Sequence, residues 1–291
     1  MSKHRSAAVL FRDHSRGGSY AKVLQEDGHF AVETVPVLDY QYLISADDIG
    51  NLVHQQFNLR SYSAIIFTSQ NAVKALSAAA TQWLSLSDSV KTRTDLWNQF
   101  LQLPIFVVGK ATGSACTMLG NCQIYGEESG SASVLLPEII KFSQQKKQET
   151  GKLPKFLFIC GDQRRDTLPD GIRQSGEAEL FEVTSYKTIA REISAVASEL
   201  SKAVRRILSS ISLCENEKIV IWLVLFSPSG ARVVYPALNS LCVSDSNQHI
   251  FKFAAIGKTT ASELLSLGAN HLDTVQAKVP NEQGIKDALH S

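Results

Sequence analysis

The chain has 291 residues, of which 44% are hydrophobic, and carries a formal net charge of +1 at pH 7. This length and apolar fraction suit one large or two medium globular domains. The near-zero charge gives no electrostatic basis for binding nucleic acid or a membrane surface, so any anionic ligand must be held by local groups. No apolar run approaches the ~20 residues of a membrane span, and the N-terminus lacks a signal-peptide pattern.

Cysteine and histidine usage indicates neither a disulfide framework nor a metal site. The five cysteines form no C-x-x-C pair, which favours reduced thiols in a cytoplasmic protein. The seven histidines are scattered, without an H-E-x-x-H motif. The sequence therefore predicts no metal. It also lacks the G-x-G-x-x-G and G-x-S-x-G motifs of dinucleotide-binding proteins and serine hydrolases.

The predicted strands are short apolar runs, each followed by a polar turn and a helical pattern. In chain order these runs are 8–11, 64–67, 105–108, 156–160, 222–226 and 253–256. Two further stretches, 31–37 and 180–188, are rich in β-branched and aromatic residues and are predicted to be extended. Strands that alternate with helices at this spacing predict parallel sheets covered by helices on both faces.

Three further segments show helical patterns. Residues 131–148 are predicted to be helical, with Pro137 limiting how the first part continues, and 192–212 carry apolar residues at helical spacing. Pro280 is predicted to begin a last helix that ends near Leu289. Residues 87–102 are interpreted as an insertion containing a short helix near 95–101.

One segment of the chain is repeated. Residues 108–120, VGKATGSACTMLG, and 256–268, IGKTTASELLSLG, share a Gly-Lys pair, a threonine two residues later and a closing Leu-Gly. Weaker echoes link 64–73 with 219–236 and 8–28 with 156–176. One half of these units is contiguous and the other is split across the chain. The order therefore predicts duplicated α/β halves, one inserted into the other.

The turns after the predicted strands contain the candidate ligand-binding residues. Hydroxyl and glycine turns at helix starts suit anions, and guanidinium groups suit carboxylates. The candidates are Arg12, Thr68, Ser69, Gly109, Thr112, Gly161, Arg164, Arg165, Ser227, Ser229, Gly230, Thr259 and Thr260. The Gly257-Lys258 pair also resembles the end of a P-loop, but Lys252 stands where that motif needs glycine. A nucleotide site is therefore disfavoured.

Taken together, the segments IIFTSQNAV, VVGKAT, CGDQRRDTLP, VTSYKT, LFSPSGARVV and KFAAIGKTTASELLSLG resemble the uroporphyrinogen-III synthase family across nearly the whole chain. The resemblance implies two flavodoxin-like α/β domains, one inserted into the other, joined by a two-strand linker. The predicted domains are 1–37 plus 187–291, and 43–180. The predicted linkers are 38–42 and 181–186.

The resemblance also implies a function. A cofactor-free lyase of haem synthesis would close hydroxymethylbilane, a linear tetrapyrrole with eight carboxylates, with loss of water and inversion of ring D. Tyr186 would assist loss of the hydroxyl. The turn residues and Lys252 would line a cleft between the domains. The enzyme would be a cytoplasmic monomer that receives its substrate from the preceding pathway enzyme.

Two other readings remain open from the sequence. A non-catalytic two-domain module that binds polyanions or tetrapyrroles would carry the same turns without turnover. A nucleotide-dependent enzyme is the third reading. The family pattern also has departures here: Asn71 stands where some relatives carry arginine, and no cysteine lies near Ala79.

Overall fold

The computed structural model describes residues 6–26, 28–55, 62–86, 90–211, 218–241 and 249–290, without the side chains of 14–17 and 55. The chain divides into two compact units. The first unit comprises Met1–Asp39 and Ile189–Ser291, and the second unit is Tyr40–Thr188. Across the described ranges, no helix is long and apolar enough to span a membrane.

Strands and helices alternate along most of the chain. The strands are β1 (Ser6–Phe11), β2 (Phe30–Thr34), β3 (Leu38–Tyr42), β4 (Ala64–Phe67), β5 (Ile105–Val107), β6 (Ile124–Tyr125), β7 (Lys155–Gly161), β8 (Glu179–Ala190), β9 (Ile219–Leu225), β10 (His249–Ala255) and β11 (Thr274–Gln276). The helices are α1 (His14–Gln25), α2 (Ala46–Gln55), α3 (Gln70–Ser85), α4 (Val90–Phe100), α5 (Lys110–Cys116), α6 (Ala132–Thr150), α7 (Thr167–Ser175), α8 (Ile193–Ser210), α9 (Pro228–Asn239), α10 (Lys258–Ser266) and α11 (Glu282–Leu289).

The two sheets share one strand order. In the first unit the order is β2-β1-β9-β10-β11, and the pairings along it are parallel. In the second unit the order is β3-β8-β7-β4-β5-β6, again parallel from β8 to β6. The first order is the 2-1-3-4-5 arrangement of flavodoxin-like folds. The second places β8-β7-β4-β5-β6 in the same spatial order, with β3 added at the edge. The predicted α/β fold class is therefore confirmed.

Each sheet is buried on both faces. In β1, Ala7 and Val9 pack into one core, while Ala8 and Leu10 pack into another on the opposite face. In β4, alternate residues likewise divide between two cores. Strands buried on both faces are typical of parallel sheets that carry helices on both sides. Ligands of such sheets bind at the carboxyl ends of the strands, which is where the candidate turns lie.

Every predicted strand overlaps an observed one, and the predicted linkers lie in β3 and β8. Two helix predictions are wrong in detail. The last helix begins at Glu282, not at Pro280, because Asn281 caps it by accepting a hydrogen bond from Gly284 N at 2.8 Å. Pro137 does not limit α6, which runs through it. The insertion helix is α4, and residues 87–89 lie outside the described chain.

Candidate functional site

In the second unit, β4 and β5 end in register at one edge of the sheet, and β7 extends two residues further. Phe67 at the end of β4 pairs with Val107 of β5 and Ile159 of β7. The turns that follow these strands therefore start side by side, and they contain Ser69 and Gly109. The sequence predicted that these turns carry the site, and the register brings them to a common edge.

A bulge in β8 sets the position of Tyr186. Cys160 pairs with Thr184, but Gly161 pairs with Tyr186, so Ser185 is left out of the ladder. The buried Ser185 donates its hydroxyl to the Cys160 carbonyl at 3.0 Å, which fixes the bulge. β-bulges bend a strand and re-aim its side chains. Here the bulge brings Tyr186 opposite the last residue of β7.

The phenol of Tyr186 lies in a closely packed pocket at this edge. Its hydroxyl donates a hydrogen bond to Ser69 Oγ at 3.0 Å, and the residue is only 9% exposed. The Tyr40 ring contacts it edge-on, with centroids 5.6 Å apart. A Cβ at Gly161 would stand 2.5 Å from Cζ of the phenol, so only glycine leaves room for the ring.

Ser69 has a second role at the start of α3. It is the N-cap residue, and its Oγ accepts a hydrogen bond from Asn71 N at 3.2 Å. The same Ser69 oxygen therefore caps the helix and receives the Tyr186 hydroxyl. Asn71, which stands where some relatives carry arginine, is itself buried.

Two residues that sequence reasoning did not select hold Tyr186 in place. Tyr40 packs against its ring, as described above. Asp162 N donates to the Tyr186 carbonyl at 3.0 Å, and Asp162 Oδ1 accepts from Thr188 N at 3.0 Å. An aspartate directly after a strand-end glycine is a turn signal that could have marked Asp162. Nothing in the sequence pattern marks Tyr40.

Of the two predicted arginines after β7, Arg164 is ion-paired within the protein and Arg165 is exposed. Arg164 donates to Glu182 Oε2 at 2.8 Å through Nε and also pairs with Asp166. Burial lowers the pKa of Arg164, but the hydrogen bond and charge of Glu182 outweigh it and raise the pKa. Arg164 therefore serves an internal ion-pair network. Arg165 is exposed, and no ion pair of it is found within the described ranges.

The repeated turn in the second unit is tightly constrained. Gly109 has φ 82°, a left-handed conformation that favours glycine. Thr112 is 4% exposed, and its Oγ1 donates to the Val108 carbonyl at 3.0 Å. Lys110 forms an exposed ion pair with Glu128 at 3.2 Å. The hydroxyl proton of Thr112 is thus already used by a carbonyl of the turn that precedes its helix.

The first unit presents an equivalent edge. Phe11 of β1 pairs with Leu225 of β9, which pairs with Ala255 of β10, so these three strands end together. The turns that follow contain Arg12, residues 227–230 and the second copy of the repeated turn. The guanidinium of Arg12 lies 4.8 Å from the centroid of the Phe226 ring, against which it stacks.

The turn after β9 is organised by its serines. Ser227 caps α9, because its Oγ accepts from Gly230 N at 3.1 Å. Ser229 is exposed, and its Oγ lies 3.0 Å from Ser227 Oγ. Gly230 is buried against the turn. Two hydroxyls therefore lie together at the mouth of a helix N-terminus, an arrangement suited to an anionic group.

The second copy of the repeated turn differs from the first. Gly257 is extended, with φ −173°, a conformation open to any residue. Thr259 is exposed, whereas Thr260 is 1% exposed. Among the described residues no hydrogen-bond partner is found for the Thr260 hydroxyl, in contrast to that of Thr112. The two copies therefore share a motif, but their threonine hydroxyls differ in hydrogen bonding.

Lys252 is not brought to this edge. It lies in the middle of β10 opposite Trp222, and its Nζ is 5.7 Å from the centroid of that ring. The strand continues to Ala255 before the turn begins. The structure thus separates Lys252 from the candidate turns of the first unit.

The cysteines and acidic residues offer no metal site in the described ranges, where no group of three or more His, Cys, Asp or Glu could hold an ion. Cys116, Cys122 and Cys160 are free thiols, and Cys214 and Cys242 lie outside those ranges. Burial, with the nearby Cys122 and Glu127, raises the pKa of Cys116 to about 12. Such a thiol stays protonated at neutral pH and is a poor nucleophile.

Comparison with known proteins identifies the relatives of this chain. The family model described as uroporphyrinogen-III synthase HemD matches residues 18–286. A uroporphyrinogen-III synthase of Saccharomyces cerevisiae is 26% identical over 88% of this chain and 85% of its own length. One from Schizosaccharomyces pombe is 25% identical over 79% and 76%. A crystal structure of a mutant uroporphyrinogen III synthase from Thermus thermophilus covers 98% of this chain and 99% of its own, at 15% identity and a TM-score of 0.42.

Proposed function

This chain belongs to the uroporphyrinogen-III synthase family, and from that premise we propose how its residues act. The enzyme is a cyclising lyase of tetrapyrrole synthesis. It closes hydroxymethylbilane to uroporphyrinogen III, with loss of the terminal hydroxyl as water and inversion of ring D. The reaction needs no cofactor in this proposal, because the electron-rich pyrrole that carries the hydroxymethyl group helps to expel the hydroxyl.

We propose that Tyr186 assists this expulsion. The observation that supports the role is the phenol's placement at the sheet edge, hydrogen-bonded to Ser69 and packed between Gly161 and Tyr40. A hydrogen bond to the departing oxygen stabilises the charge that develops on it as the carbon–oxygen bond breaks.

We propose that the turns of each unit bind substrate carboxylates. In the first unit, Arg12, Ser227, Ser229, Gly230, Thr259 and Thr260 provide hydroxyl, amide and guanidinium donors. In the second unit, Thr68, Gly109, Gly161 and Arg165 do so. Ser69 meets the substrate at the same edge, and Thr112 shapes the turn, since its hydroxyl proton already bonds to Val108. Arg165 supplies the exposed cation, since Arg164 is already paired with Glu182. Donors of this kind suit a substrate with eight carboxylates and a protein with a net charge of only +1.

We further propose that the protein acts as a monomer in the cytoplasm and receives hydroxymethylbilane from the preceding pathway enzyme. Its free thiols support a reducing compartment. The spontaneous ring closure of the substrate to the wrong isomer supports direct handover, because delay in solution would divert material.

The decisive experiment supplies hydroxymethylbilane to the purified protein, oxidises the products and separates the isomers. We expect isomer III to dominate. Formation of isomer I alone, the spontaneous product, would contradict the proposed function. A protein that bound the bilane tightly and still gave only isomer I would instead be the non-catalytic binding module.

A further inference from the structure

The hydrogen bonds around Ser69 show which proton remains for a ligand. Ser69 Oγ accepts from Tyr186 Oη at 3.0 Å and from Asn71 N at 3.2 Å. A serine hydroxyl has one proton to donate and two lone pairs to accept with. Both acceptor positions are therefore filled, and no acceptor for the Ser69 proton is found within the described part of the chain.

The solvent exposure of Tyr186 and Ser69 also indicates that Ser69 is the one that meets a ligand. Tyr186 is 9% exposed, with its ring held by Tyr40 and Gly161, whereas Ser69 is half-buried at the start of α3. The phenol proton points to Ser69, and the Ser69 proton is the one left for a group arriving at this edge. Hydrogen bonds in a chain polarise one another, so a donor such as Tyr186 makes the next hydroxyl a better donor.

We propose that Ser69 is the catalytic residue that donates to the departing hydroxyl, and that Tyr186 is a positioning residue that acts through it. This inference rests on the proposed function. The carbon–oxygen bond of the hydroxymethyl group breaks, and its electron pair leaves with the oxygen. That oxygen takes the Ser69 proton and departs as water, while Ser69 takes the proton of Tyr186. Ring closure later releases one proton from a pyrrole carbon, which restores the pair.

The alternative is direct contact between Tyr186 and the leaving oxygen, and the two schemes differ in how their variants combine. In the relay, Ser69→Ala removes the donor that meets the leaving oxygen, and we expect kcat for isomer III to fall by about 100-fold. Tyr186→Phe leaves the Ser69 proton in place but unpolarised, and we expect a fall of about tenfold. In the double variant, loss of Tyr186 then adds nothing.

The experiment measures kcat and KM for isomer III formation in the two single variants and the double variant. The relay predicts that the double variant matches Ser69→Ala within about twofold, and that Ser69→Thr, which keeps the hydroxyl and the cap, restores most of kcat. Direct donation predicts that Tyr186→Phe costs as much in the Ser69→Ala background as in the unaltered protein. That result, or a Ser69→Ala variant within about twofold of the unaltered enzyme, overturns the relay.

Two controls separate the relay from other failures. Ser45→Ala removes another serine at a helix start in the same unit, where Ser45 Oγ accepts from Asp48 N at 3.2 Å. We expect this variant to unfold at a lower urea concentration than the unaltered protein, with kcat unchanged. The unaltered protein provides the second control. If it makes isomer III while the relay pattern is absent, the relay is wrong and the proposed function stands.

Discussion

Gly161 and Tyr186 face each other across β7 and β8, with no room between the glycine Cα and the phenol for a methyl group. We predict that Gly161→Ala displaces the ring and breaks its 3.0 Å hydrogen bond to Ser69, because the added Cβ would lie 2.5 Å from Cζ. Loss of this hydrogen bond removes the same interaction that Tyr186→Phe removes, so kcat for isomer III should fall by about tenfold with KM little changed.

Gly18→Ala is the matched control for that substitution. Gly18 is exposed in α1, and nothing lies within 4 Å of a Cβ added there. Alanine is favoured over glycine in a helix by about 1 kcal/mol, so the control should raise the unfolding midpoint and leave kcat unchanged. Equal kcat in the Gly161→Ala variant and the unaltered protein would remove the packing around Tyr186 from the mechanism.

The paired threonines of the repeated turn should respond differently to loss of their hydroxyls. We predict that Thr260→Val raises KM by roughly tenfold, because a hydrogen bond to a charged carboxylate is lost from a hydroxyl that has no partner among the described residues. Thr112→Val should raise KM less, since that hydroxyl proton already bonds to Val108. Steady-state kinetics on both variants decide the matter, and a larger effect at Thr112 would contradict the assignment.

Substitution of Arg165 should weaken substrate binding, whereas substitution of Arg164 should lower the stability of the fold. We predict that Arg165→Ala raises KM severalfold and that the rise is largest at low salt. Dissolved ions screen the attraction between an exposed cation and a substrate carboxylate, so this attraction contributes most at low ionic strength. Arg164→Ala should instead lower the free energy of unfolding by about 1–2 kcal/mol, since it leaves Glu182 and Asp166 without this partner. Kinetics at two ionic strengths and urea titrations test both halves. A raised KM in Arg164→Ala alone would reverse the roles.

The buried Cys116 predicts a loss of stability at alkaline pH. Folding raises its pKa from 9.0 to about 12, chiefly through burial, so the folded state holds a proton that the unfolded state has released within that window. The contribution is fully present below pH 9 and is lost as pH rises towards 12. We expect the urea midpoint to fall less between about pH 8 and about pH 10.5 in Cys116→Ala than in the unaltered protein. An equal fall in both would refute this cause.

Much of the fold was readable because its signals are local. Each buried strand is an apolar run, and each is followed by a turn whose serine or glycine serves the next helix, as Ser69 and Ser227 do. The edge strands β6 and β11 were missed because they have only two and three residues. Helix α2 was also missed, although Ser45 and Asp48 form a reciprocal cap that the sequence displays.

The interior of the site was less readable because it depends on pairings between distant parts of the chain. The contact of Tyr186 with Ser69 joins residues 117 positions apart and depends on a bulge that no local pattern announces. Arg164 was predicted to contact a ligand, but its guanidinium donates a hydrogen bond to Glu182 of the neighbouring strand β8. Periodicity indicates which face of an element is buried, but it does not show which side chains meet there.

The shared strand order of the two sheets has a consequence for the ancestry of the chain. Let each strand be numbered by its position across its own sheet, with β3 left out. Along the chain the positions then read 2-1-3-4-5, followed by 2-1-3-4-5 again. Residues up to β6 visit each place once, and residues from β7 onward visit each once again. This succession is that of a tandem duplication in which the two copies have exchanged their last three strands, as in a domain swap. Neither tandem half contains a complete sheet, so severing the chain between β6 and β7 would leave both halves without their native partners.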